Sequence, residues 1–514
     1  MRPCRSSGSR RARLALILVA LGSISLSVQA QTITWVTNTN PSGAGSLHAA
    51  LQGLQSGQAT LQDIRFNFPV TTPVGASNVI FLNQPMPNVV GANVRISGGD
   101  IAAGVIIDGN GHRPFSVAVG ATTTALELNF LNIRRGGSID SGGCVSVRNQ
   151  LTALKLDSVR LEECRVYFQS AATGVRGGAV FAAGPLQVID SVFINNQIES
   201  SAAVPVASID AIGGALAKEG AHAVTIRRAR FENNRVYLNN TLPSTCASGR
   251  GGALGLNMPG SGLSVLIIDS IFINNGTPCR NPSLNFDIEG AGDGGAMVYY
   301  GNGANELTLE NNYFSGNQGR DGGAVGVIQS LSTMMTARNN TFFANSAKNA
   351  GGGLALVNCC HARIEHNTFS DNSAQGAGQP SQLWLSVTNL IALNHNVLNG
   401  NNSCAASLSA AQTGVAGWNL YFGGSCQIEN DTGSQFVSYM SWLLPPASNG
   451  GFIPTMRPAF GSAAIDAGNP AGCLAQDARY VLRPIDGDAD GIARCDIGAV
   501  ESTFIDALLK NGFE

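Results

Sequence analysis

The side chains best suited to chemistry are charged residues that recur at one position of a repeated pattern. Asp190, Arg228 and Asp269 each lie three residues before a phenylalanine that begins the motif F-x-x-N. Carboxylates beside a basic residue could act as acid and base on a polysaccharide. The alternative is a salt-bridged ladder on the surface. No N-T-D, D-D or R-I-K-type run of a known depolymerase is present, so the pattern favours the ladder.

The same position continues along the chain as Asn311, Asn339, His366 and His395. These histidines and His361 could approach one another if their segments stack, and imidazoles are common metal ligands. Histidines on neighbouring strands are more often surface residues than ligands. We therefore expect all three on the surface.

A second set of carboxylates lies near the end of the chain, in the segment IDGDADG. Asp486, Asp488 and Asp490 alternate with smaller residues, as do the first ligands of an EF-hand loop. Ile497 stands where the bidentate glutamate of such a loop would be, so Asp496, or alternatively Glu501, is the candidate to complete the shell. These four residues predict a calcium site, with a metal-free Asp/Gly turn as the alternative.

The elements that must position these side chains are indicated by two alternating tetrapeptides. F-x-x-N occurs six times between Phe193 and Asn372, and G-G-[AG]-[VLM] six times between Gly177 and Leu354. Short β-branched runs such as LQVIDSVF and VLIIDSIF precede the phenylalanines, which favours strands over helices. A short unit that cannot bury its own apolar face must stack on its neighbours. The repeats therefore predict a parallel β-solenoid.

Stacked coils place equivalent residues in columns about 4.8 Å apart. We expect the phenylalanines to stack in the interior and the asparagines three residues later to hydrogen-bond from coil to coil. The predicted asparagine ladder consists of Asn196, Asn234, Asn275, Asn317, Asn345 and Asn372, with Asn401 as a further member.

The alternation of F-x-x-N with G-G-A-[ILV] over residues 130–405 resembles the repeats of the chlamydial polymorphic outer membrane proteins and related bacterial right-handed β-helix proteins. Those proteins are surface-exposed or secreted, and the resemblance implies an adhesion role. They commonly end in an autotransporter barrel, which needs many strands of ~10 residues. The segment after the repeats contains no such series.

Both ends of the chain resemble parts of secreted bacterial proteins. Residues 33–52 are similar to the entry segment of β-helix proteins, although Pro41 and His48 replace the usual acidic and basic residues. PAFGSAAIDAGNP and the segment from Leu482 to Glu501 closely resemble the choice-of-anchor Q domain, which occurs on surface or secreted proteins. The residues that fall on its pattern are Asp466, Arg483, Pro484, Asp486, Asp488, Asp490, Asp496 and Glu501.

The first thirty residues predict export. Five arginines precede an apolar run that begins at Leu14, and Val28-Gln29-Ala30 provides small residues before a cleavage point. No later segment approaches the ~20 apolar residues of a membrane span. We expect a secreted or cell-surface product without a transmembrane span after signal cleavage.

Cysteine usage agrees with export, because ten of the 11 cysteines lie after the signal segment and an even number in an oxidising compartment favours disulfides. For the adjacent Cys359 and Cys360, a vicinal disulfide and two reduced thiols are both open. The predicted pairs are Cys144 with Cys164, Cys246 with Cys279, Cys404 with Cys426, and Cys473 with Cys495.

Charge limits the class of partner. Charged residues make up 12% of the chain, the net charge is −2, and no basic run follows the signal segment, which argues against nucleic-acid binding. Long insertions at residues 197–212, 235–250 and 276–293 should cluster on one face of the coils, where recognition of a carbohydrate or surface ligand is expected.

The sequence thus predicts an all-β, right-handed parallel β-helix, a pectate-lyase-like solenoid with an N-terminal cap and a small C-terminal module. The predicted function is adhesion or binding, or a structural role, and the alternative is a polysaccharide lyase or glycoside hydrolase of the same fold. The predicted parts are a signal peptide (1–30), the cap and first coils (31–125), the repeats (126–440), a choice-of-anchor Q-like module (441–503) and a tail (504–514) that is a candidate sorting signal.

Overall fold

The computed structural model describes residues 31–56, 58, 60–69, 78–102, 104–168, 174–200, 210–239, 249–281, 286–288, 290–408, 416–428, 431–437 and 442–503. The predicted signal peptide and C-terminal tail lie outside these residues. Within them the chain is nearly all β, with one α-helix, α1 (Leu47–Gln52), and a 3-10 turn at Pro470–Gly472. The predicted all-β class and the parallel β-helix are confirmed.

The first half of the chain contributes short strands that follow one another around the coils. They are β1 (Gln31–Val36), β2 (Leu61–Phe66), β3 (Val79–Phe81), β4 (Asn93–Ser97), β5 (Val105–Asp108), β6 (Phe115–Val117), β7 (Ala125–Asn129), β8 (Leu131–Arg134), β9 (Gly137–Ser138), β10 (Val145–Val147), β11 (Ala153–Asp157), β12 (Arg160–Glu162), β13 (Arg165–Phe168), β14 (Val175–Arg176), β15 (Val180–Ala182), β16 (Leu186–Ile189), β17 (Val192–Ile194), β18 (Gln197–Ser200), β19 (Ala211–Ile212), β20 (Leu216–Glu219), β21 (Val224–Arg227), β22 (Arg230–Glu232) and β23 (Arg235–Asn239).

The second half continues the pattern and includes two strands of twelve residues. They are β24 (Gly249–Arg250), β25 (Leu254–Met258), β26 (Ser264–Ile268), β27 (Ile271–Ile273), β28 (Cys279–Asn281), β29 (Phe286–Ile288), β30 (Met297–Gly301), β31 (Glu306–Glu310), β32 (Tyr313–Ser315), β33 (Gln318–Asp321), β34 (Val325–Ile328), β35 (Met334–Arg338), β36 (Thr341–Phe343), β37 (Ser346–Ala350), β38 (Leu354–Glu365), β39 (Thr368–Ser370), β40 (Ser373–Ala374), β41 (Leu383–Asn394), β42 (Val397–Asn399), β43 (Cys404–Leu408), β44 (Ala416–Gly417), β45 (Leu420–Phe422) and β46 (Gln435–Val437).

These strands form sheets in which strands pair in parallel with their equivalents in the next coil, except that β28 and β29 pair antiparallel. The largest sheet described has 21 strands and the next has 13, from β3 to β46. The register is fixed by identical residues: Phe193 pairs with Phe231, and Phe231 with Phe272. This in-register stacking produces the predicted columns.

Both predicted columns are present in the interior. The six phenylalanine rings stack with centroids 4.6 to 4.9 Å apart. Along the asparagine ladder each amide accepts from the residue one coil earlier; Asn275, for example, accepts from the backbone and side-chain nitrogens of Asn234. The ladder ends at Asn372, which donates to Gln382. Asn401 is exposed, so its predicted membership is wrong.

A second ladder, which the sequence reading missed, lies two residues before the phenylalanine column. Its side chains hydrogen-bond from coil to coil in the same way. The members are Ser270, Asn312, Asn340, Asn367, Asn396 and Asn419. The two ladders satisfy buried polar groups at two successive bends of every coil.

The G-G-A motif occupies a bend that excludes other side chains. Gly177 has a φ of +65°, and a Cβ there would lie 1.9 Å from the carbonyl oxygen of Val180. A left-handed backbone pressed against the next strand requires glycine. This steric requirement explains why the motif recurs once per coil.

The N-terminal cap begins with strand β1, a turn and the short helix α1. Helix α1 begins after Ser46, whose hydroxyl accepts from the backbone nitrogen of Ala49. Its buried residues Leu47 and Leu51 extend the interior of the coils. No helix in the described ranges is long and apolar enough to cross a membrane.

The C-terminal module, residues 442–503, folds back along the outside of the 13-stranded sheet. Ile453, Ala478, Ala499 and Val500 form an apolar cluster with Tyr313 of β32, and further residues of that sheet pack against them. A second cluster joins Val397 and Leu420 of the coils to Ala464 and Ile497. The module therefore covers a strip of the solenoid surface.

Candidate functional site

The charged column predicted at Asp190, Arg228 and Asp269 lies on one bend of the coils. All three residues have φ between +48° and +54°. The Arg228 guanidinium donates to both oxygens of Asp190, at 2.5 and 2.7 Å, and these bonds lower the pKa of Asp190. Arg227 adds a contact to Asp269 at 3.7 Å. The predicted salt-bridged ladder is thus present here.

Asp269 and Arg228 also contact the C-terminal module. The Tyr480 hydroxyl lies 2.6 and 2.7 Å from the two carboxylate oxygens of Asp269, and burial raises the pKa of Asp269. The Arg228 guanidinium lies 5.4 Å from the ring centroid of Phe452. Two of the three candidate catalytic residues therefore bind a neighbouring part of the same chain.

Later members of the column make the same kind of contact. The Asn339 amide donates to the carbonyl oxygen of Gln476 at 3.0 Å. His366 and His395 are buried under the module, and their rings stack with centroids 4.4 Å apart. We call the column the docking column; its members are Asp190, Arg228, Asp269, Asn311, Asn339, His366 and His395.

The surface position expected for the histidines is wrong for two of the three. His366 and His395 are 0% and 1% exposed because the module covers them. His361 lies earlier on β38, pairs with Met334, and is only partly buried. The expectation failed because sequence spacing along the coils carries no sign of a distant covering segment.

A buried ion network organises the module itself. The Arg483 guanidinium lies 3.2 Å from Glu501, and both side chains are fully buried. Arg483 also donates to the carbonyl oxygens of Asp496 and Gly498. Burial raises the pKa values of Asp496 and Glu501. These residues of the resembled pattern thus serve the module interior.

The four predicted calcium ligands do not converge. Oxygens of Asp486 and Asp488 lie within 4.8 Å of each other and of Asp466. Asp496 is buried elsewhere and accepts from the backbone nitrogens of Asp466 and Ser502. Asp496 is not part of that group of oxygens, and its assignment to the shell stays a prediction.

The remaining carboxylates of this segment form local turns. Asp488 accepts from the backbone nitrogen of Asp490, and Asp486 from that of Gly491. Asp466 accepts from the backbone nitrogens of Gly487 and Asp488. These bonds match the Asp/Gly-turn alternative, and calcium binding at Asp486, Asp488 and Asp490 stays a prediction.

Three grooves that the sequence reading missed adjoin one another at Ile139, whose side chain is 79% exposed. The first has a volume of 610 Å³ and is lined by Arg165, Tyr167 and Glu199. Tyr167 is 41% exposed. Arg165 and Glu199 lie 3.7 Å apart, so the groove carries a balanced pair of charges beside an aromatic ring.

The other two grooves extend this surface on either side of Asp140. The second, of 500 Å³, is lined by Asp140, Arg148, Arg176 and Glu219, and the third, of 390 Å³, by Asp140 and Arg113. Asp140 forms ion pairs with Arg113 and Arg148. We call the three together the Ile139 grooves; none of their lining residues lies in the C-terminal module.

A cluster of ion pairs continues from these grooves along the bends that precede the G-G-A motif. Arg176 lies 2.7 Å from Asp210, and Arg250 lies 3.6 Å from the same carboxylate. The Arg250 guanidinium lies 5.2 Å from the ring centroid of Tyr300. Reading the residue before each G-G-A would have found Arg176 and Arg250.

The cluster ends at two aspartates on neighbouring coils. Arg320 binds Asp293 through two hydrogen bonds of 2.9 and 2.8 Å and lies 3.4 Å from Asp321. Burial and the nearby Asp293 raise the pKa of Asp321. Such a pair of carboxylates with unequal environments is a feature of acid–base sites.

Three of the four predicted disulfides are present: Cys144 with Cys164, Cys404 with Cys426, and Cys473 with Cys495. Cys359 and Cys360 are also joined, the vicinal alternative left open above. Cys246 of the fourth pair lies outside the described residues, as do 201–209 and 240–248 of two of the long insertions and 282–285 and 289 of the third. The backbone of Cys164 donates to Asn196, so one disulfide lies at the head of the asparagine ladder.

In comparisons with known proteins, no family model, no curated protein and no solved structure matches this chain.

Proposed function

We propose that this protein is an exported binding protein that holds a carbohydrate or a similar polar surface ligand in the Ile139 grooves. The observation that supports the proposal is the adjoining set of grooves around one exposed isoleucine. Loops and grooves on a rigid scaffold are common recognition surfaces. The signal-like first thirty residues and the resemblance to secreted and surface proteins support export.

The chemistry of the first groove suits a hydroxylated ligand. Tyr167 offers a ring face and a hydroxyl, and the ion-paired Arg165 and Glu199 offer a donor and an acceptor already held in place. Held groups lose little freedom on binding, which favours affinity. Because the charges are balanced, a neutral or mixed glycan fits this groove better than a strongly acidic one.

A glycan-binding screen of the mature chain tests the proposal, with the variant Arg165→Ala/Tyr167→Ala as the comparison. We expect bound glycans to lose at least about tenfold in affinity in the variant, the effect of removing a central contact. Arg363→Ala is the control, because Arg363 forms an exposed ion pair with Glu365 at 2.9 Å away from these grooves. Equal binding by both variants would refute the assignment.

Cleavage of a polysaccharide is the second candidate, supported by Asp293 and Asp321 on neighbouring coils. Arg320 pairs with Asp293, whereas Asp321 has a raised pKa. Asp293 therefore suits the role of the charged carboxylate, and Asp321 that of the protonated acid. Release of new reducing ends or unsaturated uronates from a polysaccharide panel tests it. Activity that survives in Asp321→Asn and Asp293→Asn would exclude this pair as the site.

A further inference from the structure

Two histidines lie within the contact between the coils and the C-terminal module. His366 and His395 lie at equivalent positions of successive coils, with φ of +54° and +57°. Their rings are parallel to within 2°, and both are buried under the module. The coils hold the stack, and the module covers it.

The hydrogen bonds of both rings require the neutral imidazole. Nε2 of His395 accepts from the backbone nitrogen of Asn469 at 2.9 Å. Nδ1 of His366 lies 2.9 Å from Nη1 of Arg483, which can only donate. A proton on either acceptor nitrogen would place two donors face to face. Nε2 of His366 lies 3.4 Å from the carbonyl oxygen of Gly472. It can therefore donate the single proton of the neutral ring to that oxygen.

The carboxylates of the module are each bound to another group rather than to the rings. Glu501 binds Arg483, Asp477 binds Arg479 at 2.7 Å, and both oxygens of Asp496 accept backbone hydrogen bonds. Cys495, near both rings, is in the disulfide with Cys473. On the coils, Glu365 precedes His366 in the chain and lies beside Arg363, and Asn339 and Trp418 stand before and after the two histidines at the same bend, with φ of +54° and +57°.

We propose that His366 and His395 form an acid-sensitive latch, which holds the module on the coils at neutral pH and weakens its docking in mildly acidic surroundings. Release would uncover the apolar strip formed by Ile271, Ile273, Tyr313 and Phe343, which now packs against the module. A protein with such a latch presents a different surface in an acidic compartment or biofilm from the one that it presents at neutral pH.

The direction of the effect follows from the protonation of the two states. Burial and then the Arg483 charge lower the pKa of His395 to about 4, and the same causes place the pKa of His366 well below its ordinary value. Once undocked, the rings return toward the ordinary pKa of about 6.5. The docked state therefore loses stability as pH falls below 6.5, and for His395 the loss is complete near pH 4.

The size of the effect can be bounded for one ring. Each pH unit between about 6.5 and 4 lowers the docking constant up to about tenfold per histidine, so His395 alone accounts for about 300-fold. Carboxyl groups with raised pKa values act in the opposite direction: protonation of Asp269 at the interface, and of Asp496 and Glu501 within the module, favours the buried state in acid. A variant that lacks both imidazoles separates the two contributions.

Hydrogen exchange of the full mature chain measures the docking directly. The backbone nitrogen of Asn469 donates to Nε2 of His395, so the peptide spanning residues 468–474 reports release. After correction for intrinsic exchange, we expect its protection to fall about 300-fold or more between pH 6.5 and 4. Strand β16 remains protected throughout, because its hydrogen bonds do not involve the module.

The variant His366→Asn/His395→Asn should abolish this fall. Asparagine is suited to the position, since Asn311 and Asn339 occupy it in the two preceding coils with φ above +50°. His361→Asn is the matched control and should respond to acid as the unaltered chain does. If the double variant does not fold, His395→Asn alone should reduce the fall by about 300-fold. The latch is refuted if the unaltered chain keeps its protection at pH 4, or if the double variant loses as much.

Discussion

The docking column and the Ile139 grooves place similar charges on the outside of the same coils, yet the two regions differ in what covers them. In the docking column, Asp269 and His366 are buried by contacts with the module. In the grooves, Tyr167 and Ile139 remain exposed. The comparison teaches that a charged row on a solenoid has no fixed role: a row covered by the same chain acts as an attachment, and an open row is free to meet a ligand.

The two regions also differ in how their charges are balanced. Arg483 lies in the module beside the docking column and is fully buried against Glu501, whereas Arg165 in the first groove is 59% exposed beside Glu199. A buried ion pair depends on both partners, and an exposed one contributes little. Stability should therefore respond to the docked region far more than to the grooves.

The largest expected effect comes from breaking the buried pair. Arg483→Ala leaves Glu501 without its cation and should destabilise the module by about 3 to 5 kcal/mol. Arg165→Ala should change stability by less than about 1 kcal/mol, because its pair is exposed. Thermal unfolding of the two variants checks this. Equal losses of stability would mean that the buried pair contributes no more than the exposed one.

A smaller effect is expected from one hydroxyl in each region. Tyr480→Phe removes the hydrogen bond to the Asp269 carboxylate and should cost about 1.5 to 3 kcal/mol of docking free energy. Tyr167→Phe is the matched change in the grooves and should leave stability within about 0.5 kcal/mol. Denaturant unfolding, monitored by a signal from the module, measures the free energy in both variants. A Tyr480→Phe chain as stable as the parent would show that this contact contributes nothing.

The smallest expected effect is at the exposed end of the docking column. The Asp190 and Arg228 side chains are 41% and 27% exposed, so Asp190→Asn should cost only about 0.2 to 1 kcal/mol. The cost should shrink further in concentrated salt, which screens exposed charges. A loss as large in high salt as in low salt would indicate a role beyond the ion pair.

The coil interior could be predicted from the sequence because each column repeats one residue type. Phenylalanine and asparagine recur at a constant offset, so the stack and the first ladder follow from local spacing. The second ladder escaped notice because its column begins with Ser191 and Ala229 before it becomes a run of asparagines. A mixed column gives a weaker signal than a uniform one.

The docked module could not be predicted, because its contacts join distant parts of the chain. Tyr480 and Asp269 are 211 residues apart, and no periodicity links them. For the same reason the chemistry assigned to Asp269 and the surface position assigned to His366 and His395 were inferred without the segment that covers them. Asp496 was likewise grouped with its sequence neighbours, although its carboxylate belongs to the module interior.

Because the module contacts several members of the docking column, it constrains the number of coils between those contacts. It contacts the coils at Arg228, Asp269, Asn339, His366 and His395. A whole coil added or deleted before Asp190 would leave these contacts unchanged. The same change between Arg228 and His395 would shift the contacts on one side of it by about 4.8 Å relative to those on the other. Lineages that lengthen this protein by duplicating coils are therefore expected to add them near the N-terminal cap, where a new coil does not change the spacing of the module's contacts.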